Sequence, residues 1–340
     1  MTTKTPAGAW LLQHLQRLLP KTIGQTPDAD ETPGPPRPAI AIVTDSAAAL
    51  PPEWVLKFAE NGYLNVVPMP VIIGENVYSD DDAELETHIS LALAAGKSVK
   101  TSRPSPGQFE RAYKAAADAG FDAVVSLHIS TKLSGTFDAA QIGADRVQIP
   151  VHVVDSGTVG MGQGRGVQAA LSAAAHGAGA DEVVAAAHAA VVGTSVYFYV
   201  PSLEQLRRGG RISMASSWLG TVLDIKPILG IRDGAVVPLE KVRSAARAIA
   251  RLEALAAGNI AARGDEATQI SVHYFGNEIQ GQKLGDSLAV RFPGLAAVTL
   301  TRLPAVLAAH AGLGVLVVVV ADAPAAPDIQ NPDYPLAGLH

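Results

Sequence analysis

The chain has 340 residues, 48% of them hydrophobic and 17% charged, with a net charge of −6 and no cysteine. That length and composition suit two ordinary domains with a substantial core and argue against wholesale disorder. The missing cysteines exclude disulfides, thiolate metal sites and a cysteine nucleophile and fit a reducing cytoplasm, and without a basic tract or aromatic–basic stripe nucleic-acid binding is not expected.

Residues 1–38 read as a separate leader. Leu11, Leu12, Leu15, Leu18 and Leu19 recur at helical spacing. Gln13, His14, Gln16 and Arg17 interrupt any signal-peptide core. The stretch from Thr26 to Pro38 is rich in Pro, Asp and Thr and reads as a flexible linker. Such a helix can meet a partner or a membrane surface. With this linker behind it, a loosely packed leader is the preferred reading.

The body opens with the apolar strand Ala39–Asp45. Further strands are predicted at Asn65–Ile73, Asp122–Ile129, Pro150–Asp155, Ser195–Val200, Gln269–Phe275, Ala296–Thr301 and Leu313–Val320. The apolar run from Leu313 to Ala321 is too short to span a bilayer and suits a strand buried on both faces of a parallel sheet. A helix is predicted from Ser105. Ser105 caps it, Pro106 takes its first position, Gln108 completes a capping box and Gly120 ends it. Strand–helix alternation up to Asp155 predicts a parallel α/β sheet. Two apolar runs around Asp233-Gly234 predict a β-hairpin, and with it an α+β second half.

Ligands of open parallel sheets sit beyond the carboxyl ends of the strands. Three polar stretches are expected there: Asp45-Ser46, the Thr101–Ser105 loop and Ser130–Thr136. Helix starts offer unpaired N–H groups and a positive dipole end, so their hydroxyls can cap the helix or hold an anion. For Ser105 the complete capping box decides for capping. For Thr101, Ser102 and Ser134 both uses stay open. Gly160, Gly162, Gly164 and Gly166 lack the G-x-G-x-x-G spacing, so close helix packing is favoured over a dinucleotide site. Ser202 is expected to cap a helix that Gly209-Gly210 ends. Arg207 and Arg208 then suit its C-terminus, while Arg211 lies past that end and is free to face an anion. None of the nine histidines has metal-site spacing, and a strand histidine such as His273 is ordinarily a hydrogen-bonded core residue.

Together these stretches resemble the DegV family of fatty-acid-binding proteins. The resemblance runs from about Ala39 to Val320. It is carried by Val43-Thr44-Asp45-Ser46, Lys100–Pro106, Leu133-Ser134-Gly135-Thr136-Phe137, Val154-Asp155-Ser156, Met161–Gly164, Gly209–Ser213 and Ile225–Leu229, with His273 and His310–Gly314 in order. It implies a two-domain α/β fold: an N-terminal parallel α/β, Rossmann-like domain over 39–157 and a C-terminal α+β domain over 158–322, with a tail over 323–340. It further implies a long-chain fatty acid between and beneath the domains, its carboxylate held by Thr101, Ser102 and Ser134 with His273 nearby. Arg211 would stand at the entrance or meet a partner. The bound acid would be presented to a separate dihydroxyacetone-kinase-like fatty-acid kinase that makes the acyl phosphate. The chain itself would then have no catalytic residue, metal or cofactor. The chain departs from the family pattern at Arg103, where glutamine is frequent, and at His310-Ala311-Gly312-Leu313-Gly314, which weakens a role for His310.

The main expectation is therefore a cytoplasmic fatty-acid carrier, with transient membrane contact left open. The alternative is a small-molecule hydrolase or acyl transferase using Ser134 and His273. A third reading is a structural or regulatory module that binds lipid incidentally. No G-x-S-x-G elbow accompanies Ser134, which weighs against the enzyme reading.

Overall fold

The computed structural model describes residues 39–79, 84–212 and 225–323. The leader and the tail predicted from the sequence lie outside these residues, save for Ala323.

The first sheet is wholly parallel. It holds β1 (Ile40–Asp45), β2 (Leu64–Val67), β6 (Ala123–His128) and β7 (Val151–Asp155) in the order β2-β1-β6-β7. Parallel strands need crossovers, and these supply the helices on both faces. On one face α3 (Pro106–Asp118) and α4 (Thr136–Ala144) pack on the sheet. There Phe109, Tyr113, Ala139 and Ala140 meet Ala41, Val43 and Val124. The other face carries Ile40, Ile42, Val125 and Leu127, against which α5 (Met161–Ala175) and α6 (Ala180–Val192) pack.

The second sheet has six strands in the order β10-β9-β8-β13-β11-β12. These are β8 (Thr194–Tyr199), β9 (Lys226–Arg232), β10 (Ala235–Val242), β11 (Thr268–Tyr274), β12 (Ala297–Arg302) and β13 (Leu316–Asp322). Among the described residues only the β11–β12 strand pair of this sheet is parallel. The predicted hairpin is β9–β10, turning at Asp233 and Gly234, both with positive φ as a two-residue turn of this kind requires. Alternate residues of β13 face opposite ways. Leu316, Val318 and Val320 join a cluster with α8 (Ala245–Arg263) and α9 (Glu278–Arg291), and Val317 and Val319 join the cluster shared with α5. The strand is buried on both faces as expected, but it runs antiparallel to both neighbours, where a parallel sheet was predicted. Two-sided burial alone produces the continuous apolar run, whatever the direction of the partners.

Helix α5 thus lies between the two sheets, touching β1 and β6 on one side and β8 and β13 on the other. Its glycines make this possible. A Cβ on Gly164 would stand 2.6 Å from Met161 Sδ and 2.7 Å from the carbonyl of Ala48, and one on Gly166 would stand 2.8 Å from Leu127 Cδ2. The glycine cluster that resembles a nucleotide fingerprint is a packing surface.

A small third sheet, β4-β3-β5, comprises β3 (Val71–Ile73), β4 (Asn76–Tyr78) and β5 (Val99–Thr101). The single strand predicted over Asn65–Ile73 is in fact β2 and β3, in two different sheets. Pro68 and Pro70 stand between them and lack the N–H that a continuous ladder needs. Helix α2 (Leu85–Ala94) packs on β3 and β5, and α10 (Ala305–Ala311) packs against α2, β5 and α7 (Glu204–Arg208).

Candidate functional site

Beyond the carboxyl ends of β1 and β6, the two large sheets and α10 enclose an apolar cavity. The space between its walls is about 750 Å³, counting the open mouth. Its walls come from Met69 in the β2–β3 link, Ile129 after β6, Val196 and Phe198 of β8, Ile231 and Val236 of the hairpin, Val306 and Leu307 of α10, and Val317 of β13. Five polar side chains line it among the described residues: Thr101, Ser134, Arg211, His273 and His310.

Four of the five form one connected end. Thr101 closes β5, and its Oγ1 lies 2.7 Å from His310 Nε2 at the last turn of α10. Burial, helped by the charge of Arg211, lowers the His310 pKa to about 4, so the ring is neutral at pH 7. With Nε2 protonated, the imidazole donates to Thr101 Oγ1 and leaves the threonine hydrogen free to point into the cavity. Arg211 donates from Nε to the carbonyl of Leu133 at 3.0 Å and from Nη1 to the carbonyl of Gly209. Leu133 precedes Ser134, whose Oγ pairs with Thr136 Oγ1 at 2.8 Å.

The Gly209-Gly210 pair serves this arrangement. The His310 ring occupies the place a Cβ on Gly209 would take, and Gly210 turns the chain at φ +69° so that Arg211 can reach back. The predicted short helix before it is α7, whose Glu204 N–H bonds Ser202 Oγ at 3.1 Å.

The loop bearing Ser134 is fixed from three sides. Ser130 donates from its hydroxyl to the carbonyl of Gly234 in the hairpin turn, at 2.8 Å. Asp155 accepts from Thr131 N at 3.2 Å, Thr131 Oγ1 at 2.6 Å and Gly157 N at 2.8 Å. Below the loop, Asp45 Oδ2 accepts from the Ile129 N–H and from His128 Nδ1, both at 3.0 Å. His128 Nε2 in turn meets Ser126 Oγ at 2.7 Å, and Ser126 meets the Tyr113 hydroxyl at 2.8 Å. This chain has the order of a catalytic triad, yet Asp45, Ser126, His128 and Tyr113 are fully buried, and none of them lines the cavity. It anchors the end of β6. Asp45 and Ser46, expected beside a ligand, instead hold backbone: Asp45 accepts from Ala47 N at 3.0 Å and Ser46 Oγ from Met69 N at 3.1 Å.

Of the residues singled out in the sequence, Thr101, Ser134, Arg211 and His273 line the cavity. Ser102 does not. It is exposed, and its hydroxyl donates to the carbonyl of Arg103 at 3.2 Å. Ser105 keeps to capping, with its N–H on Gln108 Oε1 at 2.9 Å. His273 stands apart from the connected polar end. Its Nε2 accepts from Met161 N–H at 3.2 Å and its Nδ1 pairs with Thr301 Oγ1 at 2.7 Å. Complete burial, reinforced by the positive charge of Arg165, lowers its pKa to about 4. Both ring nitrogens are thus engaged, so His273 has no N–H left for an anion, nor a lone pair for Ser134. His310, to which the family pattern lends little weight, is seated on Thr101, and the glycine pair that admits its ring is the sequence signal for it. Among the described residues no cluster of histidine and acidic side chains could hold a metal, and no helix is long and apolar enough to cross a membrane.

Fold and site together define an α/β protein of stacked sheets around an apolar cavity with one polar end. Residues 39–323 match the family model described as uncharacterised protein, DegV family, and the chain belongs to that family. A DegV domain-containing protein of Streptomyces coelicolor is 42% identical over 282 residues, covering 83% of this chain and 98% of its own length. One of Mycobacterium bovis is 34% identical over 282 residues, covering 83% and 96%. Among solved structures, a DegV family protein from Thermus thermophilus, described by its fatty-acid binding, superposes with a TM-score of 0.76 at 31% identity, covering 84% of this chain and all of that one. DegV from Bacillus subtilis, described as a fatty acid binding protein, gives 0.75 at 26% identity over 84% and 99%.

Proposed function

We propose that this chain binds one long-chain fatty acid, with the tail in the apolar cavity and the carboxylate against the hydroxyls of Thr101 and Ser134. The observation that carries this reading is the gathering of Thr101, Ser134, Arg211 and His310 at one end of an otherwise apolar space. Burying a long acyl tail gains on the order of 10 kcal/mol gross, at roughly 0.8 per methylene. Ordering the chain and desolvating the head group offset a large part of that gain. An unpaired buried carboxylate would cancel the rest, so the acid needs donors where its head group stops. Thr101 is bonded to neutral His310, and Ser134 sits on a loop braced by Asp155 and Ser130. Arg211 supplies positive charge from the side of Leu133 without being committed to a carboxylate among the described residues. Ser102 takes no part in this reading, and His273 acts as a wall and as an anchor for the start of α5.

The finer part of the reading is that the acid is presented to a separate dihydroxyacetone-kinase-like kinase for conversion to the acyl phosphate, in the cytoplasm. It is supported by the family resemblance and by a head-group end that adjoins exposed side chains of the Ser102–Arg103 and Thr131–Lys132 loops. The hydrolase alternative has no support in the geometry, because Met161 and Thr301 engage both ring nitrogens of His273 and leave it no lone pair to act as base for Ser134. Native mass spectrometry of protein purified from cells tests the reading. The expected result is a co-purified long-chain acid in one-to-one ratio, removable by delipidation and restored on adding the acid. An empty protein that hydrolyses acyl esters would overturn it.

A further inference from the structure

The turn Leu133-Ser134-Gly135 is flanked by two guanidinium groups. Arg211 holds the Leu133 carbonyl from one side. Arg103, from the loop between β5 and α3, lies over Gly135, where a Cβ would stand 2.6 Å from its Nη1 and 3.6 Å from its Cζ. Arg103 is exposed, and among the described residues its guanidinium has neither a hydrogen-bond partner nor a carboxylate within 4 Å. Its backbone is set independently, because the Ser105–Gln108 capping box and buried Pro104 fix the loop that carries it. Lys132, also exposed, lies two residues before Ser134. The chain as a whole carries −6, so cationic side chains near the cavity offset a net repulsion that an approaching anion otherwise meets.

We propose that Arg103 and Arg211 form an electrostatic capture pair at the mouth of the cavity, which favours anionic head groups over neutral ones by speeding their arrival. This rests on the reading that the cavity takes a long-chain acid. Arg103 does not line the cavity, so its effect falls on association and hardly on the seated carboxylate. Gly135 is part of the device, because a Cβ there would displace the guanidinium from its present place over the turn.

The test is stopped-flow association of a fluorescent polyene fatty acid, and of the alcohol with the same chain, to the delipidated full-length protein. Wild type is compared with Arg103→Gln and Arg103→Lys at low and high salt. One unit charge acting across about 6 Å of water changes the acid's association rate by about threefold. The expected result is that fall in Arg103→Gln at low salt, recovery in Arg103→Lys, loss of the difference in about 1 M salt, and no effect on the alcohol. Equal slowing of acid and alcohol, or an acid rate unchanged by Arg103→Gln at low salt, overturns the capture pair while leaving the fatty-acid reading standing. Failure of wild type to bind either ligand overturns that reading, and the capture pair falls with it.

Discussion

Replacing Thr101 with valine removes one hydroxyl and keeps the shape of the side chain. In the free protein the change costs the Thr101–His310 bond, whose net worth is about 0.5–1.5 kcal/mol. In the complex it costs a donor to a carboxylate, about 1.5–3 kcal/mol, since hydrogen bonds to charged groups are the stronger kind. Half-buried Thr101 has little water at hand to replace that donor. Affinity for a long-chain acid should therefore fall by about 10- to 150-fold, at 1.36 kcal/mol per decade. The alcohol of the same chain presents no charge, and its affinity should fall by less than about tenfold. Titration of delipidated Thr101→Val and wild type with both ligands reads the two numbers, and thermal unfolding checks that the variant is folded. Acid affinity within about threefold of wild type, or an equal loss for the alcohol, would refute the placement of the carboxylate.

Three further outcomes follow from the same geometry. His273 and His310 have folded pKa values of about 4, below the 6.5 of an unfolded histidine. Between those values the unfolded chain binds more protons, so stability is full above pH 6.5 and falls as pH drops toward 4. The loss is at most about 3 kcal/mol for buried His273 and less for half-buried His310. Urea midpoints across that range read it, and a His310→Asn variant should show a shallower decline. Asp155→Ala removes the acceptor for Thr131 and Gly157. Amide exchange over Thr131–Ser134 should quicken and acid affinity should drop by about 2- to 12-fold, the worth of one net hydrogen bond. Gly164→Ala drives a methyl into the Ala48 carbonyl and should lower stability by about 1–3 kcal/mol in denaturant unfolding, where a loosely packed α5 would show no change.

Much of this arrangement is legible in the sequence because it depends on local rules. The Ser105 capping box, the Asp233-Gly234 turn and the alternation that builds the parallel sheet each follow from backbone preferences within a few residues. The glycines of α5 could be read as packing because their spacing does not suit a nucleotide. What escaped the sequence depends on distant partners. The direction of β13 is set by β8 and β11, both more than forty residues earlier in the sequence, as its register with Val196 and Val272 shows. The break at Pro68 and Pro70 was visible, but its consequence, two strands in different sheets, was not. Ser102 and Thr101 are neighbours with opposite fates, because successive residues of an extended segment point to opposite sides. His310 meets Thr101 across 209 positions, which no spacing rule connects.

The most direct test of the account is a crystal structure of the delipidated full-length protein reloaded with a single long-chain acid. The acyl chain is expected in the cavity between Val306, Phe198 and Val317, with a carboxylate oxygen within hydrogen-bond reach of both Thr101 Oγ1 and Ser134 Oγ. A head group found beside His273, or a tail lying outside the cavity, would contradict it.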